Sequence, residues 1–179
     1  MKMGTDKKSR PRVYGEGINS DFMIRECTSD DLEGVIKVNE KELPEDYPYF
    51  FYKSILDSYP DAFLLASKSD NPERIVGYIM WRVERAPSID NLNLINKGHL
   101  VSIAVLMRYR RQGVATALLS NSMPAIRNYN ISEFVLEVRV SNYPAINLYK
   151  KFGYVIKNIK KNYYRDGENA YYMVKKIEG

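Results

Sequence analysis

The chain holds one cysteine, Cys27, and one histidine, His99, in 179 residues. A lone cysteine excludes an internal disulfide and makes a reducing compartment, the cytoplasm, the expected location. Cys27 sits in the alternating stretch "FMIRECT", which reads as a strand, so packing is favoured over a reactive thiol. No apolar run approaches the ~18 residues that mark a membrane-spanning helix. The N-terminus lacks the apolar core of a secretory signal, and no membrane partner is expected. Two familiar phosphate motifs, G-x-x-x-x-G-K-S/T and G-x-G-x-x-G, are missing. There is no internal repeat and no linker long enough to divide the chain.

What is present suits one globular domain with a sizeable core: 45% of residues are hydrophobic and 27% charged. The net charge of +5 is unevenly spread. Lys2, Lys7, Lys8, Arg10 and Arg12 oppose Asp6 alone, so the first thirteen residues carry +4 of it (five cations less one acid). Residues 1–20 are expected to form a basic, disordered tail and residues 21–177 the folded domain. Such a tail is either a solvated arm or an attachment to ribosomal RNA or another polyanion.

Periodicity sets the element order. "FMIREC" (22–27) predicts a strand, and "TSDDLEGVIKVNEKEL" a helix with acids in its first turn and Pro44 at its end. "YPYFFYKSIL" (47–56) predicts a short helix starting at Pro48. "AFLLAS" and "RIVGYIMWRVER" predict two strands joined by the turn-like "SDNPE". Next come a strand at 99–105, a helix in "RRQGVATALLSNSMPAIRN", a strand at 133–140 and a helix at 142–152. "YVIKNIKKNYY" and "AYYMVKK" predict a hairpin across Asp166-Gly167. Strand–helix–strand implies a parallel central pair. Pro124 would cost ~3 kcal/mol inside a straight helix, so a kink or early end is expected near residue 120. The fold class is α/β, a mixed sheet of about seven strands with about four helices.

The start of the third helix is electrostatically odd. A helix N-terminus has unpaired N–H groups and partial positive charge, which favour acids. This one offers Arg110, Arg111 and Gln112, then Gly113. Cations and a glycine belong there if an anion does: the N–H groups bind it, Gly113 lets it approach, and the arginines add charge-assisted hydrogen bonds. Val114, Ala117 and Leu118 continue as the buried face. A phosphorylated ligand is expected at the end of strand 99–105.

Arg-x-x-Gly-x-Ala at 110–115 resembles the pyrophosphate loop of the GNAT acetyltransferases, and "SIAV" (102–105) the strand that precedes it. Twenty-seven residues past Ala115, "NYPAINLYKKFGY" matches that family's N-x-x-A-x-x-L-Y-x-x-x-G-F/Y helix. "LPEDYPY" (43–49), "KGHLVSIAV" (97–105), "LEVRVSNYPAINLY" (136–149) and "YYRDGENAYYM" (163–173) are similar to archaeal protein N-α-acetyltransferases, relatives of the NatA catalytic subunit. The similarity spans about residues 21 to 177. Asp46, Arg165 and Asn169 depart from the relatives' usual residues, and bear on which second residue of a substrate is preferred.

The resemblance implies a GNAT fold and acetyl-CoA as co-substrate, held in a wedge between strands 99–105 and 133–140. The backbone of Ile103, Ala104 and Val105 would grip pantetheine, and one unpaired N–H would face the thioester carbonyl. Arg110, Arg111, Gln112, Gly113, Val114, Ala115 and Thr116 would hold the pyrophosphate. Asn142 would cap the helix that follows it and touch the cofactor. Tyr149, which spacing alone makes a core tyrosine, becomes the general acid for the departing thiolate. Leu43, Pro44, Glu45, Tyr47, Arg139, Tyr163 and Tyr164 would frame a groove for a peptide N-terminus, whether a finished protein's or a nascent chain's. Glu45, Glu137 and His99 are the candidate proton acceptors, the last two with a water held between them. Glu137 would as readily pair with Arg139 on the same strand face, and His99 would as readily be a packing residue that begins its strand. No metal is required. His99 and Glu137 are the only plausible adventitious pair, too few for a tight zinc site. The implied reaction is direct attack of a protein α-amine on acetyl-CoA. The alternatives are acetylation of lysine side chains or small amines on the same fold, and a nucleic-acid-binding module acting through the tail.

Overall fold

The computed structural model describes residues 11–15 and 19–177. Eight strands form one mixed sheet in the order β1-β2-β3-β4-β5-β6-β8-β7. β1 (Val13–Tyr14), β2 (Phe22–Glu26), β3 (Leu64–Lys68), β4 (Asn71–Pro87) and β5 (Leu94–Val105) pair antiparallel in sequence order. β6 (Glu133–Arg139) runs parallel to β5, and β8 (Ala170–Lys176) lies antiparallel between β6 and β7 (Val155–Lys160). The eighth strand, one beyond the expected seven, is β1. It registers Val13 against Arg25, inside the segment expected as tail, and Arg12 N–H donates to Glu26 Oε2 at 3.0 Å. Residues 11–15 of that segment therefore lie at the edge of the sheet. Its cations at residues 2–10 lie outside the described residues.

Two helices cover each face. α1 (Leu32–Glu42) and α2 (Tyr49–Ser58) bury Leu32, Val35, Tyr52 and Ile55 against Leu65, Tyr78 and Met80. α3 (Val114–Arg127) and α4 (Tyr143–Lys151) bury Leu118, Ile126, Ile146 and Tyr149 against Ile79, Trp81, Leu136 and Met173. Large apolar side chains contribute about 1.5–3 kcal/mol each when fully buried. Trp81 keeps its N–H satisfied by Ser122 Oγ at 2.9 Å. α3 does not stop near residue 120 but continues through Pro124 to Arg127. The carbonyl that Pro124 leaves unpaired belongs to exposed Ser120, open to water, while buried Met123 and Ile126 anchor the last turn.

The site owes its existence to a break in this sheet. β5 and β6 pair only at Lys97–Glu133, Gly98–Phe134 and His99–Val135. Beyond them the strands part, so Leu100–Val105 keep a ladder with β4 alone. The β4–β5 register slips between Met80 and Trp81, leaving Val101 as the extra residue of a bulge where the strands begin to part. His99 does not begin its strand: the ladder with β4 starts five residues earlier, at Leu94. Tyr163 and Tyr164 likewise fall beyond the end of β7, in the loop to β8.

Candidate active site

Where β5 and β6 part, the surface opens into a cleft of about 1460 Å³ that runs from the start of α3 to the loop after α1. At its α3 end, Gly113 is the N-cap with φ 82° and ψ 0°, and Arg111 is also left-handed at φ 62°. A non-glycine residue held there costs about 1–2 kcal/mol, strain of the kind found at ligand-binding loops. α3 has no acid in its first turn and no side-chain cap, so its N–H groups and dipole are free to meet an anion. Arg111, Gln112 and Thr116 are exposed beside them, while Val114 is buried and Ala115 half-buried. Arg110 lines the cleft as well. Its Nε donates to the Val105 carbonyl at 3.0 Å and its Nη2 to Glu42 at 2.6 Å, so it also braces the loop.

The middle of the cleft is the wedge itself. Ile103, Ala104 and Val105 line one side, and on their β6 side they have no ladder partner. Facing them is α4, capped by Asn142, whose Oδ1 accepts from Ala145 N–H at 3.3 Å. Tyr149 lies on that helix, 6% exposed, its ring 5.8 Å from Tyr154. Burial pushes its hydroxyl well above the usual phenol range, so at neutral pH it holds a proton and can only donate it.

The other end is a charged, aromatic mouth. Glu45 Oε1 meets Arg139 Nη2 at 2.5 Å. Arg139 Nη1 binds Asp166 at 2.7 Å and Glu168 at 2.8 Å, and its guanidinium lies 4.0 Å from the Tyr164 ring centroid. One arginine thus ties the Leu43–Pro44–Glu45 loop, β6 and the β7–β8 loop together. Tyr163 and Tyr164 pack edge to face at 5.0 Å, and Tyr47 stacks on Phe51 at 4.8 Å. Burial pushes the Tyr163 hydroxyl up to about 12, so it too stays protonated.

Glu137 does not pair with Arg139, two residues on, as the strand face allowed. Its Oε2 binds His99 Nε2 at 2.6 Å, and its Oε1 binds Lys160. That direct contact leaves no room for a water between His99 and Glu137. His99 Nδ1 faces Glu84 Oε2 at 3.0 Å, and the same oxygen accepts from Arg82 Nη2 at 3.2 Å. Burial would lower the His99 pKa, but hydrogen bonds to Glu137 and Glu84 outweigh it and raise the pKa above the ordinary 6.5. Burial would raise Glu137, yet His99 and Lys160 bring it down to about 2. The imidazolium form is thus favoured between two carboxylates, and the pair can accept a proton only once His99 has lost its own. Arg82, Glu84, Lys160 and Glu42 were not among the expected site residues. Arg82 and Glu84 had a signal: charges two apart in an otherwise apolar strand place both on one face.

The pair sets a pH dependence of stability. Glu137's folded pKa is depressed from 4.5 to about 2, so its contribution is present above pH 4.5 and lost as pH falls through that window. Melting temperature should drop there, and less steeply in Glu137→Gln, which starts lower at neutral pH. Parallel acid-side slopes in the two proteins would remove the pair from the fold's acid response.

A mixed sheet parted at one parallel pair, with an anion-accepting helix start at one end of the gap and a charged mouth at the other, describes a group-transfer enzyme with a phosphorylated donor. The chain belongs to the acetyltransferase (GNAT) family, whose model matches residues 24–154. It is 48% identical over 160 residues to the N-alpha-acetyltransferase of Saccharolobus solfataricus, covering 88% of this chain and 94% of that one. It is 37% identical over 158 residues to the N-terminal acetyltransferase A complex catalytic subunit NAA10 of Arabidopsis thaliana, covering 87% and 78%. Among solved structures, Ard1 from Thermoplasma volcanium superposes with a TM-score of 0.75 at 29% identity, covering 89% of this chain and 99% of that one.

Proposed function

We propose that this protein transfers acetyl from acetyl-CoA to the α-amine of protein N-termini. The observation that carries the proposal is that one cleft joins the anion-accepting start of α3, the parted strands and the Glu45–Arg139–Tyr164 mouth. Relatives named for N-terminal acetylation at up to 48% identity support it. The cleft fits acetyl-CoA: left-handed Gly113 and the free N–H groups of α3 suit a pyrophosphate, and the unpaired edge of β5 suits the pantetheine amides. When bound, acetyl-CoA supplies an activated acyl group on a thiol leaving group.

The protein's part is positioning and proton transfer. Glu45, held by Arg139, faces an incoming ammonium with a carboxylate and takes up its proton. A free α-amine has a pKa near ~8, so only one proton must leave before attack. The amine attacks the acyl carbon directly, the C–N bond forming as the C–S bond breaks, and the nitrogen loses its remaining surplus proton to solvent. An N–H of the parted β5 edge meets the negative charge developing on the acyl oxygen. Tyr149 gives its proton to the departing sulfur. Buried Cys27, whose thiol burial pushes well above its usual range, stays protonated, which supports direct attack over an acyl-cysteine. The His99–Glu137 pair fixes Lys160 and β6 beside the mouth and serves as a second proton acceptor once His99 is deprotonated. The basic residues 2–12 would attach the enzyme to ribosomal RNA near nascent chains, in the cytoplasm.

The deciding experiment offers acetyl-CoA with peptides beginning Ser, Ala, Met-Leu and Met-Glu, and one with a blocked α-amine and a free lysine. CoA release and product mass should show acetylation of the free N-termini alone. Modification of only the blocked peptide would keep the fold and the donor but assign the enzyme to lysine side chains.

A further inference from the structure

Asn39 and Glu42, one turn apart at the end of α1, bond to segments at opposite ends of the cleft. The Glu42 side chain is 4% exposed. Its Oε1 accepts from Met107 N–H at 3.0 Å and its Oε2 from Arg110 Nη2 at 2.6 Å, on the segment leading into α3. Asn39, 1% exposed, donates through Nδ2 to the Glu45 carbonyl at 2.7 Å and accepts through Oδ1 from the Tyr78 hydroxyl at 2.6 Å. Tyr78 has one hydroxyl proton, and Asn39 takes it. Ser102, 2.7 Å from the same oxygen, must therefore be the donor to it. Ser102 lies on the stretch of β5 that has parted from β6.

The acceptor loop, Leu43–Pro44–Glu45, is thus fastened at both ends to donor-side groups. Its entry is fixed by the Glu42 carboxylate on Arg110 and Met107, and its exit by a buried chain from Ser102 through Tyr78 and Asn39. Both fastenings are hard to break. A buried carboxylate deprived of its guanidinium is an uncompensated charge, and a buried hydrogen-bonded chain loses more than one bond when one member leaves.

We propose that Glu42 and Asn39 are positioning residues that couple the two halves of the cleft. A ligand that steadies Arg110, Met107 and Ser102 also steadies the acceptor loop, so a peptide N-terminus binds more tightly when the donor site is filled. Linkage makes the effect reciprocal. The identities of the two ligands rest on the acetyltransferase reading.

The test uses the full chain, with CoA as the donor-side probe so that nothing turns over, and a peptide beginning with Ser. Peptide affinity is measured by calorimetry with and without saturating CoA. In the wild type the ratio should be about fivefold or more. In Glu42→Ala it should fall toward one. Glu42→Gln keeps an acceptor for Met107 but sets an NH₂ against the guanidinium, so it should lie between. Tyr78→Phe, which cuts the other fastening, should lower the ratio independently and covers the case in which Glu42→Ala fails to fold. A role confined to stability would lower the melting temperature and leave the ratio alone. A wild-type ratio retained in folded Glu42 and Tyr78 variants would overturn the inference while wild-type acetylation of the peptide kept the function. A wild type that does not acetylate the peptide would overturn both.

Discussion

Replacing Tyr149 with Phe should lower kcat about 10²-fold while leaving the KM for acetyl-CoA within about twofold. Three facts set that split. The ring is 6% exposed and packs 5.8 Å from Tyr154, contacts that Phe retains, so the fold and the wedge survive. The hydroxyl is held protonated by burial, so the change removes an acid and not a base. The leaving thiol, with an ordinary pKa near ~8.5, is a stronger acid than a phenol near ~10, so the proton moves uphill to the departing sulfur. That places the effect toward the lower end of the ~10²–10⁴ range for general acid–base catalysis. Single-turnover product formation with saturating acetyl-CoA measures it directly. An unchanged rate would remove Tyr149 from the chemistry and return it to the core.

Gly113→Val should raise the KM for acetyl-CoA by roughly 10²-fold, the equivalent of about 3 kcal/mol. At φ 82° an L-residue pays about 1–2 kcal/mol of steric strain, and a β-branched one more. The added methyls also stand where a pyrophosphate would approach the N–H groups of α3. If the loop relieves the strain by leaving the left-handed region, it re-aims those same N–H groups, so affinity is lost either way. CoA titration should show the loss without peptide present. The matching change at Gly153, φ 87° just after α4, should cost stability and leave CoA affinity near wild type. Equal CoA affinity in the Gly113 variant would mean that the start of α3 is not the anion site.

Much of this was legible in residue order because it is local. The capping asparagine, the acid-free helix start and the glycine that opens it depend on neighbours within a few positions, and each chemical type has few alternatives there. Strand and helix order followed from periodicity, including the parallel β5–β6 pair enforced by a crossover helix. The early end near residue 120, one of the two outcomes expected of Pro124, does not occur, because its cost depends on whether the orphaned carbonyl meets water. The partner of Arg110 could not be read, because Glu42, 68 positions away in sequence, meets its guanidinium. Glu137 could not be assigned between Arg139 and His99, since strand spacing says which side chains share a face and not which partner lies across the next strand.

The sequence by itself determined most of the elements, the acid-free start of α3 and the place of Tyr149 on the buried face of α4, since these are set by spacing along one segment. Tertiary structure alone decided how far β5 and β6 stay paired, which carboxylates hold His99, and that Arg139 joins three segments into one mouth. The physical reason is that charges and hydrogen-bond donors choose partners by distance and burial. Those are properties of register and sheet order, which no single stretch of chain contains.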